Sequence, residues 1–211
     1  MERYSVPFNN RFTLSRGQLH LSFSASGKKI GYSYIRKNGC SSFKELMGLP
    51  RKKSVDELEK THSFKPWERC DHLIFVYRDP IERMKSLYQN KFIDKDGHED
   101  ITRRYERAMS GKPSTFSNFL DFAEKMLDPH CWTQKSHLFP RKYTNAIHLH
   151  DLHAAMVEIV GEEQAEPFRH RKNPSKKPEF SVSDSDIEKI REIYAADFRM
   201  IDRIRKTRAS A

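Results

Sequence analysis

Seven consecutive residues, Arg36, Lys37, Asn38, Gly39, Cys40, Ser41 and Ser42, gather the donors that an anion needs. Gly39 lets the backbone approach a charged ligand closely, and the amides of Gly39 to Ser42 would open a helix toward it. The hydroxyls of Ser41 and Ser42 add donors, and Lys37 adds a mobile point charge. The run is not the phosphate-binding loop GxxxxGKS/T, because its lysine precedes the glycine. A second basic group follows in RDPIERMKS, Arg78 to Ser86. Arg78 and Ser86 suit a second phosphate, arginine's planar fork giving bidentate contact. Arg83 lies three residues from Ser86 on the same helical face. Two separate grips imply a ligand with two well-separated anionic groups.

Both groups sit where a strand gives way to a helix, which is where open parallel sheets bind ligands. The apolar-aromatic run Ile30 to Ile35 feeds the first group. Phe43, Leu46 and Met47 then recur at helical spacing, with Gly48 placed to end the helix. HLIFVY, His72 to Tyr77, reads as a buried parallel strand. Asp79 is a suitable N-cap, Pro80 suits the first helical position, and Glu82 stands three residues after the cap. Ile81, Met84, Leu87 and Tyr88 mark that helix's buried face, opposite Arg83 and Ser86.

Elsewhere, residues 11–35 alternate in part and suggest one or two strands before the one that feeds the loop. A short capped helix opens at Ser54, Asp94 to Ser114 is polar and irregular at first, and a helix runs from Thr115 to Leu127. NAIHLH is a further strand, followed by a helix that Asp151 caps and Gly161 closes. Ser185 with Glu188 caps a final helix whose Ile187, Ile190, Ile193, Tyr194, Phe198 and Ile201 form a core stripe. Strands alternating with helices argue for an α/β fold around a mostly parallel sheet. We expect a single domain over residues 1–211, with the N-terminal strands of residues 1–28 part of it or appended to it.

Composition narrows the function classes without choosing one. The chain has 211 residues, and 39 lysines and arginines against 29 acidic residues leave a net charge of +10. That balance favours an anionic partner: nucleic acid, a membrane surface, a phosphorylated cofactor or an acidic glycan. Cys40, Cys70 and Cys131 are odd in number and lack CxxC spacing, so a reducing compartment is expected. The N-terminus has no signal-peptide core and no run of about 18 apolar residues occurs, which suggests a soluble cytoplasmic protein. HLHDLH, His148 to His153, reads as a strand end with one histidine packed and another exposed, not as a metal cluster.

IRKNGCSSFK resembles the 5′-phosphosulfate loop of sulfotransferases that use 3′-phosphoadenosine-5′-phosphosulfate (PAPS), particularly their carbohydrate-type (Golgi-like, sulfotransferase family 2) branch. FVYRDPIERMKSLYQNKF resembles the same family's 3′-phosphate motif. HCWTQ is similar to the family's HWxPQ, with His130 and Gln134 at the right spacing and Trp132 displaced by one position. NPS at Asn173 to Ser175, and YAADFRMI near the end, also resemble family segments. The resemblance extends from about residue 29 to residue 202, and Arg36 departs from it where the family usually has proline.

The resemblance implies a three-layer α/β/α fold with a P-loop-like, mostly parallel central sheet. It also implies transfer of a sulfuryl group from PAPS to an acceptor hydroxyl, leaving adenosine 3′,5′-bisphosphate (PAP), with no metal required. By analogy Lys37 steadies the leaving phosphate. The loop, Arg36 to Ser42 with Phe43 and Lys44, lines the 5′ side, and Arg78, Arg83 and Ser86 serve the 3′-phosphate. Asn173 and Ser175 join the cofactor set. The acceptor's proton needs a base, for which His62 and His130 are the candidates. The expected acceptor is a carbohydrate or another small hydroxylated metabolite of a bacterial-type cytoplasm. The basic run around Arg169 to Pro178 either closes over the cofactor or recruits an acidic acceptor.

Two other classes stand beside this reading. A nucleotide-dependent kinase on a related fold would want the missing GxxxxGKS/T and an acidic magnesium ligand. A non-catalytic binder of polyanions would show steep salt dependence. No RNA-binding signature is present, so nucleic acid is not the expected partner.

Overall fold

The computed structural model describes residues 4–11, 19–49, 55–169 and 180–210. In chain order its strands and α-helices are β1 Ser5–Asn9, β2 His20–Ala25, β3 Lys28–Ser33, α1 Cys40–Leu46, α2 Asp56–His62, β4 His72–Tyr77, α3 Pro80–Tyr88, α4 Glu99–Met109, α5 Phe116–Glu124, β5 Lys142–His148, α6 Leu152–Val160, α7 Glu162–Ala165, α8 Asp184–Ile193 and α9 Ala195–Ala209. They form two compact units: residues 1–78, 134–172 and 200–211, and residues 79–133 and 173–199.

The first unit is built on a five-stranded sheet in the order β1-β5-β4-β3-β2. Its centre, β3-β4-β5, is parallel, and both edge strands run antiparallel. The α/β fold expected from the sequence is therefore present, with a parallel centre between antiparallel edges. β4 is apolar along its length because both of its faces are covered. Ile74 and Val76 pack with Phe43 of α1 and with Leu152, Met156 and Ile159 of α6. Leu73, Phe75 and Tyr77 pack on the other face with Met200, Ile201 and Ile204 of α9. Helices thus flank the sheet on both sides within this unit.

β2 and β3 are joined by Ser26 and Gly27, at φ 49° and 72°. Two positive φ values in a two-residue turn match the right-handed twist of the strands they connect. β1 lies within residues 1–28, where N-terminal strands were expected, but ahead of the alternation in residues 11–35; of its five residues only Val6 and Phe8 are buried. Register sets the functional edge. Ser33 pairs with Phe75, Phe75 with Ala146, and Tyr77 with His148, so the three parallel strands end side by side. The loop at 36–39, Arg78 and the turn at Leu149–Asp151 all leave from that carboxyl edge.

The second unit is helical. Met84, Leu87 and Tyr88 of α3, Phe119 and Phe122 of α5, and Ile190 and Tyr194 share one core. Asp79 caps α3 as its sequence suggests, its Oδ1 accepting from Ile81 N at 2.9 Å and Glu82 N at 3.1 Å. The polar stretch after Asp94 contains a full helix, α4, whose Ile101, Tyr105 and Met109 turn inward at four-residue intervals.

Three capping expectations need correction. α2 has Val55 in the cap position with no side-chain cap, while Ser54 lies outside the described residues. α8 starts two residues early, with Ser183 and Asp186 forming a capping box in place of Ser185 and Glu188, and the chain breaks at Tyr194 before continuing as α9. Asp151 occupies the cap position of α6 but makes no cap bond; its carboxylate accepts from Arg208 at 2.7 Å. The strand expected to reach His150 ends at His148, and His150 lies in the turn that follows. Among the described residues, no helix is long and apolar enough to cross a membrane.

Candidate active site

The loop between β3 and α1 takes its shape from two left-handed residues around one anchored residue. Lys37 has φ 71° and Gly39 φ 76°. Glycine tolerates that region, but for a lysine it costs roughly 1–2 kcal/mol. Strain of this kind persists only where neighbouring bonds over-determine the backbone, and it is concentrated at ligand sites. Here the over-determining bonds belong to Asn38. Its side chain is fully buried, at 0% exposure. Asn38 Nδ2 donates to Val76 O at 2.8 Å and to Gln134 Oε1 at 2.6 Å.

Gln134, also at 0% exposure, completes the lock. Its Oε1 accepts from Arg78 N at 2.9 Å and its Nε2 donates to Arg78 O at 2.8 Å. The orientation of both amides is forced, because the main-chain carbonyls of Val76 and Arg78 can only accept. One buried glutamine therefore ties the backbone at Arg78 to the loop that carries Lys37.

Gly39 is required twice over. Besides its φ, a Cβ there would stand 2.7 Å from Leu152 Cδ2 and 3.2 Å from Leu149 Cδ1. The loop thus rests directly on the segment that follows β5. Ser42 N donates to Gly39 O at 3.1 Å, and the amides of Gly39, Cys40 and Ser41 precede that first bond of the turn. Arg36 lies 5.8 Å over the ring of Tyr34. Burial, reinforced by the charge of Cys40 and a hydrogen bond to it, pushes the Tyr34 hydroxyl well above its ordinary range, with Arg36 opposing. Burial lowers the Lys44 ammonium from its ordinary value, and the neighbouring Arg36 charge adds to that.

The expected cofactor residues divide on this geometry. Arg36, Lys37, Gly39, Cys40, Ser41 and Lys44 are partly exposed around the loop, and Ser42 is buried. The side chain of Phe43 does not line a ligand site. At 0% exposure it stacks on Tyr32 at 3.8 Å and meets Phe168 edge-on, both in the core. Asn38 contributes through its anchoring side chain. Arg78 sits at the end of β4 in the first unit, and Ser86 lies half-buried on α3 in the second.

Arg83 is a correction. It does not share an exposed face with Ser86 but is completely buried. Its guanidinium donates to Trp132 O at 2.8 Å and to His130 O at 2.9 Å. Asn173 and Ser175 lie outside the described residues.

The two candidate bases differ in their support. His62 ends α2 beside the outer edge of β2, where Ser63 bridges Leu21. Its Nδ1 is 2.7 Å from Thr61 Oγ1, and no carboxylate pairs with it among the described residues. His130 in the second unit has its Nδ1 2.7 Å from the buried carboxylate of Asp128. Sequence reasoning missed Asp128 and the tying role of Gln134. The available signals were an acid two residues before a candidate base, and the glutamine of a motif read only for its resemblance. His148 and His150 stack at 5.0 Å, but among the described residues no group of three histidine, cysteine or acidic side chains gathers as a metal-ligand set.

Parallel central strands with a basic, backbone-strained loop at their carboxyl edge define a class: α/β proteins that hold an anionic ligand where strands end. Within that class the chain matches the Sulfotransferase family over residues 22–202, a span that runs through both units. It belongs to the sulfotransferase family, in the branch that its loop and RDP motifs resemble, and is a sulfotransferase enzyme. No curated protein and no solved structure matches it.

Proposed function

We propose that this sulfotransferase takes its sulfuryl group from PAPS and delivers it to a hydroxyl of a carbohydrate or other small metabolite, without a metal. The observation that carries the reading is the buried Asn38–Gln134–Arg78 hydrogen-bond set, which fixes the loop bearing Lys37. The residues fit a phosphosulfate group. The hydroxyls of Ser41 and Ser42 and the amides that start α1 are donors, and Arg36, Lys37 and Lys44 supply positive charge. Bound there, PAPS would supply an activated sulfuryl group on a phosphate leaving group.

The protein's part in such a transfer is positioning and charge stabilisation. Lys37 neutralises charge on the leaving oxygen. Ser41 and the loop amides orient the 5′ side, and the motif assigns Arg78 to the 3′-phosphate. The three free cysteines support a reducing, cytoplasmic setting.

Calorimetric titration with PAP, against ATP with magnesium, tests the donor in wild type and Arg78→Ala. PAP binding that weakens at least about tenfold in the variant, the loss of one charge-assisted bidentate contact, is the expected result. A folded wild type that ignores PAP, or prefers ATP with magnesium, overturns it.

A further inference from the structure

At the end of β5 opposite the loop, the first unit has an open cavity of about 430 Å³, bounded by β1, the start of β5 and α9. Lys142, Arg203 and Lys206 line it together with Phe8, Asn9 and Thr207. Arg203, Lys206 and Thr207 fall at i, i+3 and i+4, on one face of α9. Met200, Ile201 and Ile204 of the same helix turn into the core. Lys142 reaches the surface through an irregularity in the sheet. Val6 pairs with Ala146 but Phe8 pairs with Tyr143, so β5 carries one residue more than β1 over this step. The extra residue puts Tyr143 into the same core as Ala146 and leaves Lys142 exposed beside it.

The cations are set as a ligand site requires. Arg203 lies 5.1 Å over the Phe8 ring and donates to Asn9 O at 3.3 Å. Those two contacts hold the guanidinium at the wall of the cavity, and its fork has further donors. Among the described residues no carboxylate pairs with Lys142, Arg203 or Lys206; Asp202, a near neighbour on α9, faces Arg205 at 4.0 Å. Like charges gathered in a concave surface without a counter-charge focus the local field and attract an anion.

We propose that this cavity is a second anion site, which binds a phosphate monoester carried on a sugar-sized body. Charge selects the head group. A phosphate monoester carries about −1.5 to −2 at pH 7, where a sulfate ester or a carboxylate carries a single charge, so it gains most from three cations around one cavity. Volume selects the body. A water takes up about 30 Å³ of liquid, so a bare ion would leave most of this space to solvent, while small-molecule sites run to about 300–1,000 Å³. Asn9 and Thr207 offer neutral polar groups to hydroxyls. Phe8 is buried, so it presents no open ring face for a nucleobase to stack on, and single-stranded nucleic acid is disfavoured. The seven residues of β5, roughly 20 Å, separate Lys142 from the carboxyl edge that carries the loop. The site is therefore distinct from the transfer site and does not depend on the donor reading.

Calorimetric titration with glucose 6-phosphate, glucose 6-sulfate, glucose and inorganic phosphate tests the proposal. It is run at low ionic strength, where exposed charges are least screened, with backbone-amide NMR locating the response. In wild type the sugar phosphate should bind at least about fivefold tighter than the sulfate, and glucose should not bind. The amides of Asn9, Lys142 and Lys206 should shift. The double variant K142E/K206E should bind the sugar phosphate at least about tenfold more weakly, and Arg78→Ala should bind it within threefold of wild type. Should the thermal melt show that charge reversal impairs folding, K142Q/K206Q takes its place, with a loss of about fivefold expected. No binding by wild type, unchanged affinity in the folded double variant, or loss of binding in R78A overturns the proposal. So does a response confined to the amides of residues 36–42. Inorganic phosphate binding as tightly as the sugar ester would overturn the assignment of the body.

Discussion

Gln134 and Arg78 face each other as a paired amide and peptide, Oε1 accepting from Arg78 N at 2.9 Å and Nε2 donating to Arg78 O at 2.8 Å. The same Oε1 takes Asn38 Nδ2 at 2.6 Å, so one buried side chain registers the end of β4 with the loop after β3. Gln134→Ala strands a buried peptide group and one arm of Asn38, at about 1–3 kcal/mol for each unsatisfied group. Gln134→Glu keeps both acceptances but cannot donate to Arg78 O. We expect both variants to bind PAP at least tenfold more weakly, with alanine the less stable, in paired calorimetry and thermal melts. Unchanged affinity in a folded Q134A would show that the loop keeps its shape without this tie.

Gly39 and Gly48 bracket α1 and share nearly the same φ, 76° and 75°. A Cβ at Gly48 meets nothing within 4 Å, whereas at Gly39 it meets Leu152 at 2.7 Å. Gly48→Ala should therefore cost only left-handed backbone strain, about 1 kcal/mol. Gly39→Ala adds displacement of Leu152 and should cost about 2–3 kcal/mol in urea unfolding. Equal costs at the two sites would mean that Leu152 yields freely.

What the sequence revealed, and what it concealed, follows the range of the forces involved. β4 and the Asp79 cap were legible because they depend on residues within one element: an unbroken apolar run, then Asp-Pro with its side chain on Ile81 N and Glu82 N. The loop was legible because Lys37 to Ser42 are contiguous. Arg83 was misread for the opposite reason. Its helical projection groups it with Ser86, but the carbonyls that consume it come from His130 and Trp132, 47 and 49 residues away. α4 hid because only Ile101, Tyr105 and Met109 turn inward on an otherwise charged helix. Phe43 was drawn into the site by its position in the motif, while its stacking on Tyr32 depends on how α1 lies on the sheet.

His20 links acidity to stability. Its Nδ1 lies 2.9 Å from Ser33 Oγ and its ring stacks on Phe139 at 3.3 Å. Burial, with the Arg141 charge second, holds its pKa down to about 3 against an ordinary 6.5. Between those values the unfolded chain binds a proton that the folded chain refuses. The stability is full above about pH 6.5 and drains away as pH falls toward 3. From pH 7 to 4.5 the loss should be on the order of 2–3 kcal/mol, at about 1.4 kcal/mol per pH unit. Urea unfolding at the two pH values should show a smaller acid loss in His20→Phe. An identical loss in both proteins would assign the acid sensitivity to other groups.

Arg83 distinguishes a ligand residue from a framework residue. Lysine in its place brings a charge but not a planar fork, so it cannot serve Trp132 O and His130 O together. Methionine removes the charge and leaves both carbonyls without this donor. Arg83→Lys and Arg83→Met should each lose about 3 kcal/mol, since an unmade buried bond costs about 1–3 kcal/mol and a buried charge costs more. For a chain of 211 residues that corresponds to a melting temperature about 6–12 °C lower. PAP affinity of the folded fraction, titrated well below the melting point, should stay within threefold. A ligand residue would behave in the opposite way, with the melting temperature held and PAP binding lost in R83M.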